Sequence, residues 1–593
     1  MLLNPMKKNI LLLLAVVSLI TVSCIHRKDT DSVTNDRFNY YKDRFIDKYW
    51  ELNPTAALFT GYHKYDSLLL APSPDFIKMQ NLAYSRLLDS LKSIDLNVLT
   101  PNNKIDYRII ENQLKASQWY NNEFRSYEWN PSEYNVGGEF AQMISENYDK
   151  LDNRLRMVSK KLEKVPDFYL VARHNLKSPT IEHTDLAIIQ NTGAIPVLEK
   201  MLQDSLAKSS LSPEERAEIT VKADAARKAI VDYVEWLTKE IRPGLTAANA
   251  KSFRIGKQLY DEKFKYDIVS GYSAEDIYKK AVKRKDELHK EMSKIARQLW
   301  PKYFGSKTAP AGDIEVIRAV IDTLSRNHVN RDSLIPAIKK QLPELVRFIN
   351  SRNLLYLDPN KPLVVRETPS YMQGVAGASV SSPGPYEKNA NTYYNVTPYT
   401  NYTPEKAESS LREYNKYILQ ILNIHEAIPG HYTQLVYSNQ SPSMIKSLFG
   451  SGAMVEGWAV YTERMMLEEG YGNHEPEMWL MYYKWHLRTV CNTILDYSVH
   501  VLDMSKDDAM KLLITEAFQQ QAEAEGKWKR VSLTQVQLCS YFTGYTEIYD
   551  LRTELQKKMG AQFDLKKFHE KFLSYGSAPV KYIRELMLED LKK

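Results

Sequence analysis

His425, Glu426, His431, Glu456 and Glu463 all fall within the stretch Ile421–Glu463. Two histidines and a carboxylate are the ligand types of a catalytic zinc site, which keeps a fourth position for water and needs a nearby carboxylate to take that water's proton. The residue types therefore point to a zinc hydrolase.

Spacing tests this reading. In the common His-Glu-x-x-His pattern the histidines stand four apart and share a helical face. Here they stand six apart, which on a regular helix turns His431 roughly 120° from His425. Pro429 and Gly430 lie between them. Proline removes a backbone donor and glycine tolerates unusual backbone angles, so the sequence predicts a bulged turn that returns His431 toward His425. Glu456 follows after enough chain for a loop, Ser438 to Ser451, and a second helix. Glu463 lies two turns beyond Glu456 on the same face, where it can hydrogen-bond a ligating histidine. The apolar neighbours Ile421, Leu422, Ile424, Ala427, Ile428, Val455, Trp458 and Val460 predict burial, and buried charges need partners.

The stretches His425-Glu426-Ala427-Ile428-Pro429-Gly430-His431 and Glu456-Gly457-Trp458-Ala459-Val460-Tyr461-Thr462-Glu463 resemble the signature of the bacterial domain-of-unknown-function 885 family, which is similar in arrangement to helical glu-zincin metallopeptidases. The resemblance runs from about Phe38 to the C-terminus and includes the opening string Tyr49 to Ala57. It implies a mostly α-helical, zincin-like fold and peptidase activity with one zinc ion, His425, His431 and Glu456 as ligands and Glu426 as general base. Many members carry a further histidine after the second ligand, where this chain has Tyr432.

Around this centre the chain reads as helical. It has 593 residues, 43% of them hydrophobic and 26% charged, an ordinary globular composition. The 79 basic and 73 acidic residues are interleaved, which gives nucleic-acid binding no support. Residues 1–24 read as an export signal: Lys7 and Lys8, an apolar run from Ile10 to Val22, then Thr21-Val22-Ser23-Cys24. That ending resembles a bacterial lipobox with Thr21 where leucine is commoner, so Cys24 is expected to carry lipid, residues 25–37 to form a tether, and the protein to sit outside the cytoplasm on a membrane. An ordinary secretory signal is the alternative. Cys491 and Cys539 lie in apolar helical settings and predict no disulfide.

Two helical regions are expected, 38–250 as scaffold or lid and 251–593 as the catalytic part. Helical periodicity marks Phe38 to Leu52, Phe76 to Ile94, Lys104 to Trp119, Glu139 to Val165, Thr180 to Ala207 and Pro213 to Glu240. Ser273 with Asp276 reads as a helix cap. Between Pro362 and Pro404 the composition changes, and Tyr393-Tyr394-Asn395-Val396 reads as a short strand. The resemblance to helical zincins implies a small β-sheet bordering the cleft, whose edge can take a peptide as an added strand; a surface hairpin without substrate contact is the other reading. Gly377 to Val380 is a weaker candidate for the same role.

Further along, Arg488, Asn492, Asp496 and His500 recur every four residues. The family resemblance covers Arg488, Asp496 and His500. A His and an Asp at this spacing can support the zinc shell or bind the transition state, so Arg488 is expected against substrate, Asp496 behind the zinc ligands and His500 at the reaction; an internal ion-pair ladder is the other reading. Gln537-Leu538-Cys539-Ser540-Tyr541-Phe542-Thr543-Gly544 resembles the family's Gln-x-x-x-Tyr-x-x-Gly stretch, with Gln535-Val536 in place of the usual Pro-Gly. Gln537 is expected to contact substrate. Tyr541 is expected to donate to the developing oxyanion, with Tyr545 and Tyr549 as rivals. The whole describes a lipid-anchored zinc metallopeptidase acting on a peptide substrate. A zinc esterase or amidase acting on envelope material, and a non-catalytic binding lipoprotein, are the alternatives.

Overall fold

The computed structural model describes residues 31–361, 363–368, 377–386, 391–400 and 402–591. The signal segment and Cys24 lie outside them. Residues 31–52 form one helix, so the expected tether at 25–37 gives way to helix from residue 31.

The architecture is mostly α, with one three-stranded sheet. Helix starts follow local chemistry. Ser73, Thr100 and Ser212 each accept a bond from the backbone N–H three residues on, and each precedes a proline that has no N–H to lose. Ser273 and Asp276 form a reciprocal capping box. Two predicted long helices are interrupted. Glu139 to Val165 divides into Gly137–Ser145 and Leu151–Leu162, and Thr180 to Ala207 contains Pro196, after which the turn widens over Val197–Met201. No described helix is long and apolar enough to cross a membrane.

Burial partitions the helices differently from the expected boundary near 250. Phe38, Phe45, Trp50, Tyr84 and Ile110 belong to the same core as the C-terminal helices. A second core holds Tyr134, Phe140, Leu155, Tyr169, Leu202, Ile230 and Tyr233. Thus the first three long helices pack with the C-terminal half, and residues from about 134 to 237 supply most of a second core.

Strands β1 (Leu363–Glu367), β2 (Ala378–Ser381) and β3 (Thr392–Val396) lie in the order β1-β3-β2, β3 parallel to β1 and antiparallel to β2. Because β3 is central, both its edges are already paired, which overturns the expectation that Tyr393 to Val396 adds a substrate strand. Tyr394 and Asn395 are buried: the Tyr394 hydroxyl donates to Asn423 Oδ1 at 2.8 Å, and the Asn395 amide donates to Ser381 Oγ at 2.8 Å. Tyr393 lies under the Arg366 guanidinium, 3.7 Å from ring centroid to cation. The sheet serves as a buttress, with Tyr394 bracing the helix two residues before His425.

Three buried histidines brace other joints. His183 Nε2 donates to the carbonyl of Leu533, His500 Nε2 to those of Val531 and Thr534, and His569 Nδ1 to that of Leu354. Burial holds His183 and His500 down to about 4 and His569 to about 3. A ring neutral in the fold gains its proton only on unfolding, so stability is complete above about pH 6.5 and falls as pH drops toward 4. By pH 5 each ring contributes a loss of at most about 2 kcal/mol. Asp496, pushed up to about 6 by burial, offsets part of it. Thermal unfolding with chelator present is expected at a lower temperature at pH 5 than at pH 7; a rise would contradict the assignment.

Candidate metal centre

Six helices build the centre: α1 (Lys416–Glu426), α2 (His431–Asn439), α3 (Gly452–Glu468), α4 (Pro476–Val501), α5 (Gln521–Leu533) and α6 (Ser540–Met559). Asn415 caps α1 by accepting from the N–H groups of Tyr417 and Ile418. Its buried residues run from Ile418 to His425.

The turn between the histidines is not a bulge within one helix. The chain leaves α1 at Ala427 (φ −110°, ψ −88°), passes a cis Ile428–Pro429 bond and starts α2 at His431. Gly430 N–H donates to the Ile424 carbonyl at 2.9 Å, and Trp458 Nε1 on α3 donates to the Pro429 carbonyl at 2.8 Å. A Cβ on Gly430 would lie 1.8 Å from the His425 carbonyl oxygen, so only glycine lets the chain double back this tightly. The two imidazoles consequently face each other, centroids 4.7 Å apart and planes 85° to one another.

Glu456 and Glu463 both come from α3. Glu456 Oε2 stands 3.3 Å from His431 Nε2 and 3.8 Å from His425 Nε2. One ligand atom from each of the three residues falls within 4.8 Å of the others. Zinc at about 2.1 Å from each of three tetrahedral ligands would hold them roughly 3.4 Å apart, so donor types and spacing fit that ion. Glu463 is fully buried and its Oε1 accepts from His425 Nδ1 at 2.7 Å and from Trp485 Nε1 at 2.9 Å. With its proton on Nδ1, His425 turns the lone pair of Nε2 toward Glu456. His431 Nδ1 is buried with no hydrogen-bond partner, so a carboxylate fixes only one of the two rings.

Electrostatics follow from crowding. Burial opposes a charge on His425, but Glu463, Glu426 and Glu456 outweigh it and lift the ring to about 9. Burial raises the Glu426 carboxyl, an effect the two histidines moderate. A carboxylate tuned upward in this way is a better proton acceptor near neutral pH.

Tyr541 and Gln537 are brought to this centre by a close helix crossing. A Cβ on Gly457 of α3 would lie 2.3 Å from the Gly544 carbonyl carbon of α6, so the two backbones touch. Arg530 Nη2 donates to Gln537 Oε1 at 2.7 Å and to the Tyr541 hydroxyl at 3.1 Å. With its oxygen accepting from Arg530, the phenol keeps its hydrogen for another acceptor. Burial and the Glu456 carboxylate push the Tyr541 phenol upward, so it stays a neutral donor. The rivals are engaged elsewhere, Tyr545 with Arg464 and Tyr549 with Glu468. Neither spacing nor composition singles out Arg530: its partners Gln537 and Tyr541 lie beyond the end of its own helix.

The remaining candidates on α4 stand behind the site. Arg488 pairs with Glu523 at 2.6 Å and lies over the Trp485 ring, which itself donates to Glu463, so it steadies the Glu463 support. Asp496 accepts from the N–H groups of Val536 and Leu538 at 3.0 and 2.9 Å. Val536 occupies the left-handed region (φ 70°) at the place where the family usually has glycine, and Asp496 offsets the roughly 1–2 kcal/mol a branched residue costs there. His500 caps the carbonyl end of α5. Both thus fix the turn that presents Gln537, and neither reaches the three ligands. Cys491 and Cys539 are free and buried.

A cavity of about 490 Å³ reaches Glu456. One wall carries Gln537 and Val536; the other comes from the N-terminal half, with Tyr120, Trp129 and Glu133 beside Lys263. The region expected to be scaffold or lid therefore supplies about a third of the chamber's lining.

Fold and cluster together define a mostly α-helical protein with a His/His/Glu constellation at the break between two helices. The chain belongs to the bacterial family of unknown function DUF885, whose model matches residues 54–587. Two solved structures are similar. One is a "putative lipoprotein of unknown function" from Shewanella oneidensis, 54% identical, covering 93% of this chain and 99% of its own, with a TM-score of 0.86. The other is a "putative lipoprotein" from Colwellia psychrerythraea, 16% identical, covering 94% and 99%, with a TM-score of 0.74, a likeness of fold. No curated protein matches the chain.

Proposed function

We propose that the protein is a zinc metallopeptidase anchored to a membrane by lipid on Cys24. The observation that carries the enzymatic reading is the convergence of His425 Nε2, His431 Nε2 and Glu456 Oε2, with Glu463 orienting the first. Zinc held there would supply Lewis acidity, acidifying water and polarising a carbonyl. Glu426, adjacent to His425 and half-buried, takes the water's proton and delivers it to the leaving amine. Tyr541 donates to the oxygen that gains charge, and Arg530 keeps the phenol in place. The anchor rests on the signal pattern ending at Cys24 and on the 54% identical relative, described as a "putative lipoprotein".

Digestion of a peptide library by the purified chain, read by mass spectrometry, tests the activity. Cleavage is expected, lost with chelator and recovered with zinc. Peptides left intact in every condition, or cleavage indifferent to chelator, would overturn the reading.

A further inference from the structure

Within the cavity that reaches Glu456, one carboxylate has no counter-ion. Glu133 ends a short turn, Pro131–Glu133, and lines the chamber. Its hydrogen bond from Asn130 Nδ2 is long, 3.4 Å. Among the described residues no lysine, arginine or histidine nitrogen forms an ion pair with it. Lys263, the cation on the same wall, is already engaged: its Nζ donates to Asp267 Oδ2 and to the Tyr120 hydroxyl, each at 2.6 Å. Glu133 is an exposed residue on the chamber wall, and desolvation still raises its carboxyl, with Ser126, Asn130 and Lys263 opposing.

The charge balance of the walls selects the ligand. Lys263 and Asp267 neutralise each other, and among the described residues no arginine lines the chamber. What remains is negative: Glu456 of the ligand set, and Glu133, with the rings of Tyr120 and Trp129 lining the same cavity. Such a site attracts an ammonium group, through the carboxylate and the aromatic faces, and repels a carboxylate. A volume of about 490 Å³ suits a small ligand.

Resting on the peptidase reading above, we propose that Glu133 holds the free amino terminus of a short peptide whose scissile bond lies at the His425–His431–Glu456 centre, so that the enzyme trims peptides from their amino end. Glu133 is then a specificity residue in the wall of the same cavity, separate from the metal ligands. A chain entering without a free amine would have to pass Tyr120 and Asp267 into the adjoining cavity of about 440 Å³, whose walls include Asn53, Asn112 and Gln113.

The test pairs a short peptide with its N-acetylated form, using the full zinc-loaded chain. Hydrolysis is followed by mass spectrometry, and binding by calorimetry in the Glu426→Gln background. A hydrogen bond to a charged group contributes about 1.5–3 kcal/mol, roughly ten- to a hundredfold. Acetylation is therefore expected to weaken binding and lower kcat/KM by at least tenfold, mainly through KM, with products released from the amino end. Glu133→Gln should bring the two peptides to near parity without changing zinc content, and Glu133→Asp, which keeps the charge, should restore part of the difference. Equal cleavage of both peptides by the unaltered enzyme, or a preference that survives Glu133→Gln, overturns the anchor. Preferential binding of the free peptide without hydrolysis overturns the peptidase reading and leaves the anchor standing.

Discussion

A Glu426→Gln variant is expected to keep its zinc and lose hydrolysis by about two to four orders of magnitude, the usual contribution of a positioned general base. Glutamine preserves the volume and shape of the side chain at the end of α1, so the packing around His425 need not change. The ligand atoms come from other residues, and Glu463 still holds Nδ1 of His425. What disappears is a group able to accept a proton, on a carboxyl that burial has raised. The loss should fall on kcat with KM little altered, because the residue acts on the reacting water and not on the bound chain. Parallel measurements of kcat and of metal content per chain decide it. Unchanged turnover would remove Glu426 from the chemistry, and loss of the metal would make it part of the metal shell.

The centre was legible because its chemistry is concentrated: five ionisable residues in an apolar stretch have few physical justifications other than a metal. The fold class followed from helical periodicity, and individual starts from caps such as Ser273. Geometry between elements was not legible. A spacing of six with Pro429 and Gly430 announces an irregular turn, but not that one helix ends and another begins there. Similarly, a repeat of four places Arg488, Asp496 and His500 along one side of α4 without saying what covers that side. The covering elements prove to be α5 and the turn after it, whose backbone groups occupy Asp496 and His500. The strand at Tyr393 was recognisable from alternation, whereas its central position depends on β1 and β2 pairing from both sides. Arg530 and Glu133 left no trace, since each gains meaning only from a partner or a cavity wall distant in sequence.

Gly430→Ala should be the most damaging single-methyl change in the segment that joins His425 to His431. The added carbon would lie 1.8 Å from the His425 carbonyl oxygen and 2.3 Å from that of Ile424. Both obstacles are backbone, so no side chain can swing aside to make room. Relief requires moving the α1 terminus away from the start of α2, and those two segments carry His425 and His431. Overpacking of this kind costs about 1–3 kcal/mol or more, and here the displacement also opens the ligand set. Zinc affinity is accordingly expected to fall at least a hundredfold, with a lower unfolding temperature that added zinc no longer raises. Gly526→Ala is the matched control: its Cβ would meet nothing within 4 Å, and on α5 it should stabilise by up to about 1 kcal/mol through helix propensity while leaving zinc binding intact. If Gly430→Ala bound zinc like the unaltered protein, the tight return between the two helices would not be what brings the imidazoles together, and the source of their convergence would have to be sought in the packing of α3 against them.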